Sequence, residues 1–227
     1  MNLLALDTST EVFAIAVQRG GEVLQHQAPG GAQASAALIP AIQRLLAEAG
    51  LALPELDTIV FGRGPGSFTG LRTACSVTQG LAFGANVPVL PVETLLAVAE
   101  DARSRAGVTR VVALLDARMD EVYAAAYEWD GSAWHRHGEI ALYAPQNIAV
   151  PPGWAMAGNV FAAYGSRLPA GPRVDALPGA AALLRLAPAL LAAGQAVPAG
   201  GALPLYIRDK VAQTAAERAA ARAAPSP

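Results

Sequence analysis

Two groups of residues in this chain could do chemistry. The first is a pair of aspartates at strand ends, Asp7 in Asp7-Thr8-Ser9-Thr10 and Asp116 in Asp116-Ala117-Arg118-Met119-Asp120. The second is a glycine-rich run, Gly62-Arg63-Gly64-Pro65-Gly66-Ser67-Phe68-Thr69-Gly70-Leu71-Arg72. An aspartate followed by hydroxyl residues at a hairpin turn can offer Thr8 and Ser9 to a phosphate while its carboxylate holds Mg²⁺ through water. The plainer reading is an Asx-turn in which Asp7 bonds its own backbone, and for the motif alone that reading ranks first. The glycine run joins an apolar stretch, residues 57–61, to an apolar run, Phe68 to Ala85. Strand, glycine turn and helix can surround an anion with backbone N–H groups, with Gly64, Gly66 and Ser67 as the contacts. The run is neither a Walker A loop nor a GxGxxG fingerprint. A tight turn shaped by glycine and proline, and a rigid edge for docking another protein, compete with the phosphate reading. On residue types the plain turn ranks first.

These groups need elements to hold them. Leu3-Leu4-Ala5-Leu6 reads as a buried strand ending at Asp7, residues 12–17 as a second, and residues 22–26 as a third after a Gly20-Gly21 hairpin. The pattern then recurs. Leu4-Ala5-Leu6-Asp7, Glu11 to Val17 and Gly21 return as Ala113-Leu114-Leu115-Asp116, Glu121 to Tyr127 and Gly131, with one extra residue in the second turn. Self-similarity of this kind predicts two related halves, with their aspartates facing one another across a cleft. Between the copies strands alternate with helices: helix 33–49, strand 57–61, helix 68–85, strand 87–90 and helix 92–102, with Glu93 or Thr94 starting the last. That alternation predicts a parallel section of sheet. Pro40 marks either the first turn of a shorter helix or a kink in a longer one. Further on, residues 154–159 read as a strand entering a turn and residues 180–193 as a helix interrupted by Pro188. Residues 205–208 are extended, and residues 211–224 form an alanine-rich helix.

Composition narrows the function classes. The chain has 227 residues, 53% hydrophobic and only 15% charged, with a net charge of −2. That balance describes a buried-core globular protein and a poor polyelectrolyte ligand for nucleic acid. No apolar segment reaches membrane-spanning length without a break. The chain opens on a strand pattern rather than a leader, and its one cysteine, Cys75, forms no disulfide framework, so a cytoplasmic location is expected. His135 and His137 share a strand face, but no third ligand lies nearby in sequence, so solvated hairpin histidines are expected rather than a metal site.

Helix 68–85 carries one charge, Arg72, and apolar residues on more than one face; the first half of helix 33–49 is similar. Such helices are either buried on several sides within their own domain or bury themselves in a partner. The sequence holds these two readings level.

The glycine run, Asp7-Thr8-Ser9-Thr10 and Asp116-Ala117-Arg118-Met119-Asp120-Glu121-Val122-Tyr123 together resemble the TsaB (YeaZ) family of tRNA threonylcarbamoyladenosine biosynthesis proteins. The resemblance runs from residue 1 to about 130 and continues more weakly through Pro204-Leu205-Tyr206-Ile207-Arg208. It implies an α/β chain with the duplicated actin/hsp70/sugar-kinase-like (ASKHA) fold, two domains each with a mixed sheet flanked by helices. The division is residues 1–105, carrying the docking helices, and a smaller domain at 106–207, with a helix at about 208–224 packing back on the first.

The resemblance also implies a non-catalytic subunit that binds and activates a TsaD-like catalytic subunit. With a TsaE-like ATPase, such complexes form N6-threonylcarbamoyladenosine at position 37 of ANN-decoding tRNAs, and tRNA is reached through the complex. No cofactor is expected to bind the chain firmly, ATP or ADP sitting instead at the complex interface. Docking would fall to Ala34, Leu38 and Ile42 on the first helix and to Phe68, Leu71, Arg72, Cys75 and Gln79 on the second. Relatives carry His-Ser or His-Thr entering the first helix; here Ala34-Ser35 leaves any contact of that histidine without its side chain. Arg72 and Arg118 are expected to meet a carboxylate or phosphate, since the guanidinium fork suits both. A homodimer through the same helices is expected when the partner is absent. The alternative is a stand-alone small-molecule kinase, ATPase or peptidase of the same fold, resting on Asp7 and Asp116. Against it, the Asp7 turn has no glycine for close approach to phosphate, and no Ser/His/Asp set can be assembled.

Overall fold

Strand β1 (Asn2–Asp7) carries no polar side chain from Leu3 to Leu6, so it has to be covered on both faces. It is. In the computed structural model, which describes residues 1–30 and 34–208, Leu4 and Leu6 face one layer of the core and Leu3 and Ala5 the other. β1 lies at the centre of a five-stranded sheet with β2 (Val12–Arg19), β3 (Glu22–Pro29), β4 (Thr58–Gly64) and β5 (Val89–Glu93), in the order β3-β2-β1-β4-β5. β1, β2 and β3 pair antiparallel, while β4 and β5 join parallel through helical crossovers.

Helices α1 (Ala34–Ala49) and α2 (Phe68–Ala85) cover one face of this sheet. α1 is the longer of the two helices that Pro40 allowed, and the proline sits on its exposed side, where the carbonyl it leaves unbonded can reach water. α2 has the bounds that its apolar run predicted.

The second half repeats the plan. β6 (Arg110–Arg118), β7 (Glu121–Trp129), β8 (Trp134–Tyr143), β9 (Ala155–Gly158) and β10 (Arg173–Asp175) form a sheet in the order β10-β9-β6-β7-β8. The three antiparallel strands and two parallel ones of the first sheet are thus reproduced. The copy is reduced. Where α1 stands in the first half, residues 144–154 hold Pro145, Pro151, Pro152 and Gly153, which rule out a long helix. α4 (Phe161–Tyr164), at the place of α2, has four residues.

The division at residue 105 does not describe the packing. Helix α3 (Thr94–Ala106) ends the first repeat, yet Leu95, Val98, Ala99 and Ala102 pack on the second sheet. Helix α5 (Ala180–Ala192) follows the second repeat, yet Leu183, Leu184 and Leu186 pack on the first sheet, on the face opposite α1 and α2. Ala5, Ala14 and Ala16 line that face, and their small side chains admit the helix. α5 also runs on through Pro188 rather than stopping there, with the proline exposed. The two exchanged helices pack on each other between the sheets. The helix expected at 211–224, and its packing on the first domain, lie outside the described residues. Among the described residues no helix is long and apolar enough to cross a membrane.

Glu100 of α3 fastens this junction. Its carboxylate is buried and accepts two bonds from Arg103 at 2.9 and 3.0 Å, one from Arg185 of α5 at 2.7 Å and one from Trp134 of β8 at 3.0 Å. Burial pushes its pKa up, but the hydrogen bonds from Arg103, Trp134 and Arg185 and the Arg103 charge outweigh it and hold the group below the usual carboxylate range. A depressed pKa stabilises the fold above the unfolded-state value and ceases to do so as pH falls through the folded one. Because both arginines still reach solvent, Glu100→Gln should cost about 2 kcal/mol at pH 7 rather than the full penalty of an orphaned buried charge. Chemical denaturation at pH 7 and pH 3 checks this: the gap between variant and parent should narrow in acid.

Candidate functional site

The two aspartates do the same local work in both copies. Asp7 Oδ1 accepts from the Ser9 N–H at 2.8 Å and from Ser9 Oγ at 2.6 Å. Asp116 Oδ1 accepts from the Arg118 N–H at 2.8 Å and from Tyr164 Oη at 2.8 Å. Each carboxylate therefore bonds the N–H two residues on, as an Asx-turn requires. In the second copy the extra residue makes Arg118, Met119 and Asp120 three successive left-handed residues, with φ of 60°, 56° and 60°. Asp7 is almost wholly buried, its Oδ2 has no hydrogen-bond partner, and burial raises its pKa to about 6 despite the bonds from Ser9. It does not line the cleft described below.

The glycine run closes over that first turn. A Cβ at Gly62 would lie 1.8 Å from Asp7 Oδ2, one at Gly66 2.6 Å from Ser9 Cβ, and one at Gly70 1.8 Å from the Thr8 carbonyl oxygen. The Ser67 N–H donates to the Ser9 carbonyl at 2.8 Å, and Thr8 Oγ1 donates to the Gly70 carbonyl at 2.6 Å. Gly64, at φ 120°, approaches the Leu205 carbonyl, while the Leu205 N–H donates to the Arg63 carbonyl at 2.7 Å. Ser67 takes the N-cap position of α2, but its side chain makes no capping bond. The glycines thus serve close approach between chain segments. Of the candidate phosphate contacts, Thr8, Ser9, Gly66, Ser67, Asp116 and Arg118 do line one cleft, and Asp7 and Gly64 do not.

That cleft, about 870 Å³, lies between the two hairpin turns, but the aspartates do not face one another across it as the repeat predicted: Asp116 lines it and Asp7 is buried away from it. Its charges are matched internally. Arg118 forms an ion pair with Glu11 of the other copy and a second with Asp116 at 3.2 Å. The Glu11 bond and the Asp116 charge raise the Arg118 pKa further. Arg208 pairs with Glu121 and donates to the Arg118 carbonyl at 3.3 Å. Burial, with the bond to Asp116, pushes the Tyr164 hydroxyl up to about 12. Glu11 and Glu121 stand at equivalent places in the sequence repeat, so the acid half of both pairs was legible. Their arginine partners, Arg118 from the opposite copy and Arg208 from far along the chain, were not.

The residues expected to dock divide by burial. Leu38, Ile42, Leu71 and Cys75 face this chain's own core, Leu71 being only 1% exposed. This corrects their reading as contact residues: the sheet consumes the apolar stripe of each helix, and the outward face belongs to other positions. On α2 that face is Thr69, Arg72, Ser76, Gly80 and Phe83, the last 84% exposed; on α1 it includes Ile39 at 41%. Phe68 and Gln79 are half-buried, Gln79 donating to the Ala202 carbonyl at 3.3 Å, and Ala34 opens α1. Burial pushes the Cys75 thiol up to about 11, which suits a packing role rather than reactivity. His135 and His137 pair with Asp130 and Glu128 on the β7–β8 hairpin. Among the described residues no three His, Cys, Asp or Glu are grouped to hold a metal ion.

A family model described as TsaD, tRNA N6-adenosine threonylcarbamoyltransferase, matches residues 25–166. The tRNA threonylcarbamoyladenosine biosynthesis protein TsaB of Escherichia coli K12 is 34% identical over 225 residues, covering 93% of this chain and 96% of that protein. This chain belongs to the TsaB (YeaZ) family. The TsaB of Haemophilus influenzae is 45% identical over 123 residues, 54% of this chain and 52% of its own length. The solved structure of YeaZ from Pseudomonas aeruginosa is 43% identical, superposes with a TM-score of 0.84, and covers 90% of this chain and 99% of its own. The fold is the duplicated ASKHA-like one, and the TsaB family places the chain in threonylcarbamoyladenosine biosynthesis.

Proposed function

We propose that the chain is a non-catalytic subunit of the machinery that forms N6-threonylcarbamoyladenosine in tRNA, binding and activating a TsaD-like catalytic subunit. The observation that carries this reading is the sealed glycine run. The turn where an enzyme of this fold would hold phosphate and Mg²⁺ is packed against Gly62, Gly66 and Gly70, and its aspartate, Asp7, is buried beneath them and does not line the cleft. The Glu11–Arg118 pair ties the two hairpins that would clasp a nucleotide. The outward face of α1 and α2, with Ile39 and Phe83 exposed, is the surface offered to the partner. A TsaE-like ATPase completes the assembly, and tRNA and nucleotide are met in the complex rather than by this chain alone. Activity therefore takes place in the cytoplasm, where tRNA is modified.

Size-exclusion chromatography with light scattering, on the chain alone and mixed with the TsaD-like protein of the same organism, tests the reading. A heterodimer is expected from the mixture, and a monomer or homodimer without ATP turnover from the chain alone. ATP hydrolysis by the isolated chain, lost in Asp7→Ala, would instead establish the kinase-like alternative.

A further inference from the structure

Arg72 is an exposed cation of α2 that is held in place with no carboxylate partner among the described residues. Its guanidinium stacks on the Phe68 ring, with Cζ 3.9 Å from the centroid. Its Nε donates to Tyr206 Oη at 3.1 Å, and Tyr206 in turn packs on Phe68 with centroids 5.5 Å apart. Among the described residues no carboxylate pairs with it, whereas both arginines that line the neighbouring cleft, Arg118 and Arg208, are bound to Glu11 and Glu121. Nε is spent on Tyr206, so the four N–H groups of the two terminal nitrogens remain, in a plane fixed by stacking. The usual entropic cost of ordering an arginine for a bidentate contact has already been met within the chain.

We infer that Arg72, stacked on Phe68 and anchored by Tyr206, receives the carboxylate of an aspartate or glutamate from the protein partner that seats on α2. The inference rests on the partner role proposed above and assigns that interface its central polar contact. A carboxylate of a protein, rather than a nucleic-acid phosphate, is favoured by what surrounds the fork. A phosphate backbone is held by several unpaired cations, and here the two cleft arginines, Arg118 and Arg208, are already neutralised. Along α2 from Arg72, the exposed positions Ser76, Gly80 and Phe83 present a low surface with one protruding ring, a shape that suits a packed protein face. A pre-ordered arginine beside aromatic rings is the kind of residue on which interface energy concentrates.

The test measures binding of the full chain to the TsaD-like protein of the same organism by calorimetry at two salt concentrations. Arg72→Gln should weaken binding at least tenfold and flatten its salt dependence. Arg72→Lys should not restore it, since charge without the fork is not enough. Tyr206→Phe should weaken binding less, and should add nothing in the Arg72→Gln background, because Tyr206 acts through Arg72. Circular dichroism checks that each variant is folded. Wild-type affinity in both Arg72 variants would overturn the inference while leaving the partner role standing. The absence of any complex with the parent chain would remove both. Binding of tRNA by the chain alone, lost in Arg72→Gln, would reassign the fork to phosphate.

Discussion

Gly70→Ala should destabilise the protein by about 3 kcal/mol or more, although alanine is the better helix former. Both Gly70 and Gly80 lie in α2, and an added methyl group should strengthen the helix at either place by roughly 0.5–1 kcal/mol. Their surroundings decide the sign. At Gly80 a Cβ meets nothing within 4 Å, and the residue faces solvent. At Gly70 the same atom would lie 1.8 Å from the Thr8 carbonyl oxygen, and that turn is pinned by the Asp7–Ser9 bonds and by Thr8 Oγ1 reaching back to Gly70 itself. Backbone must move, and the seal between the glycine run and the first turn must open. Urea denaturation of the two single variants checks the contrast: Gly80→Ala shifts the midpoint up and Gly70→Ala shifts it strongly down. Equal midpoints would mean that the turn yields at little cost.

Asp7→Asn should change the pH dependence of stability more than its size. Burial raises the Asp7 pKa from 3.8 to about 6, and one pKa unit is about 1.4 kcal/mol. Because the folded value is raised, protonated Asp7 contributes fully to stability below the unfolded value, and that contribution is lost as pH rises through about 6. Above that pH the parent carries a burial cost of about 3 kcal/mol that an amide does not. The Asn side chain keeps an oxygen for Ser9 but puts an amine where Oδ2 has no partner, a cost of about 1–2 kcal/mol. The variant should therefore be more stable by about 1–2 kcal/mol at pH 8 and no more stable than the parent at pH 4. Denaturation curves of the pair at pH 4, 6 and 8 isolate this group, since every other titration is shared. A difference that does not move with pH would mean that Asp7 stays ionised throughout.

Local patterns were legible in the sequence. The repeat of Asp7 and Asp116 announced two sheets of one plan. The bounds of α2 followed from its apolar run, and the Asx-turn ranked first for Asp7 because that bond spans only two residues. Contacts that cross the chain were not legible. Leu71 and Cys75 read equally well as core or interface, since an uncharged helix gives no sign of which face the sheet will take. The Glu11–Arg118 and Arg208–Glu121 pairs join segments whose proximity depends on the whole topology. The exchange of α3 and α5 left no mark on composition, because an alanine- and leucine-rich helix fits either sheet.

That exchange bears on how the chain is made. During synthesis the first five strands leave the ribosome with α1, α2 and α3; Ala97 of α3 finds its place with the first sheet, while Leu95, Val98, Ala99 and Ala102 wait for a sheet that does not yet exist. The apolar face formed by Leu3, Ala5, Ala14, Ala16, Val60 and Leu90 waits for α5, which ends at Ala192. The first sheet therefore cannot be covered on both faces until Ala192 has been made, whereas the second can take α3 as soon as its own strands exist.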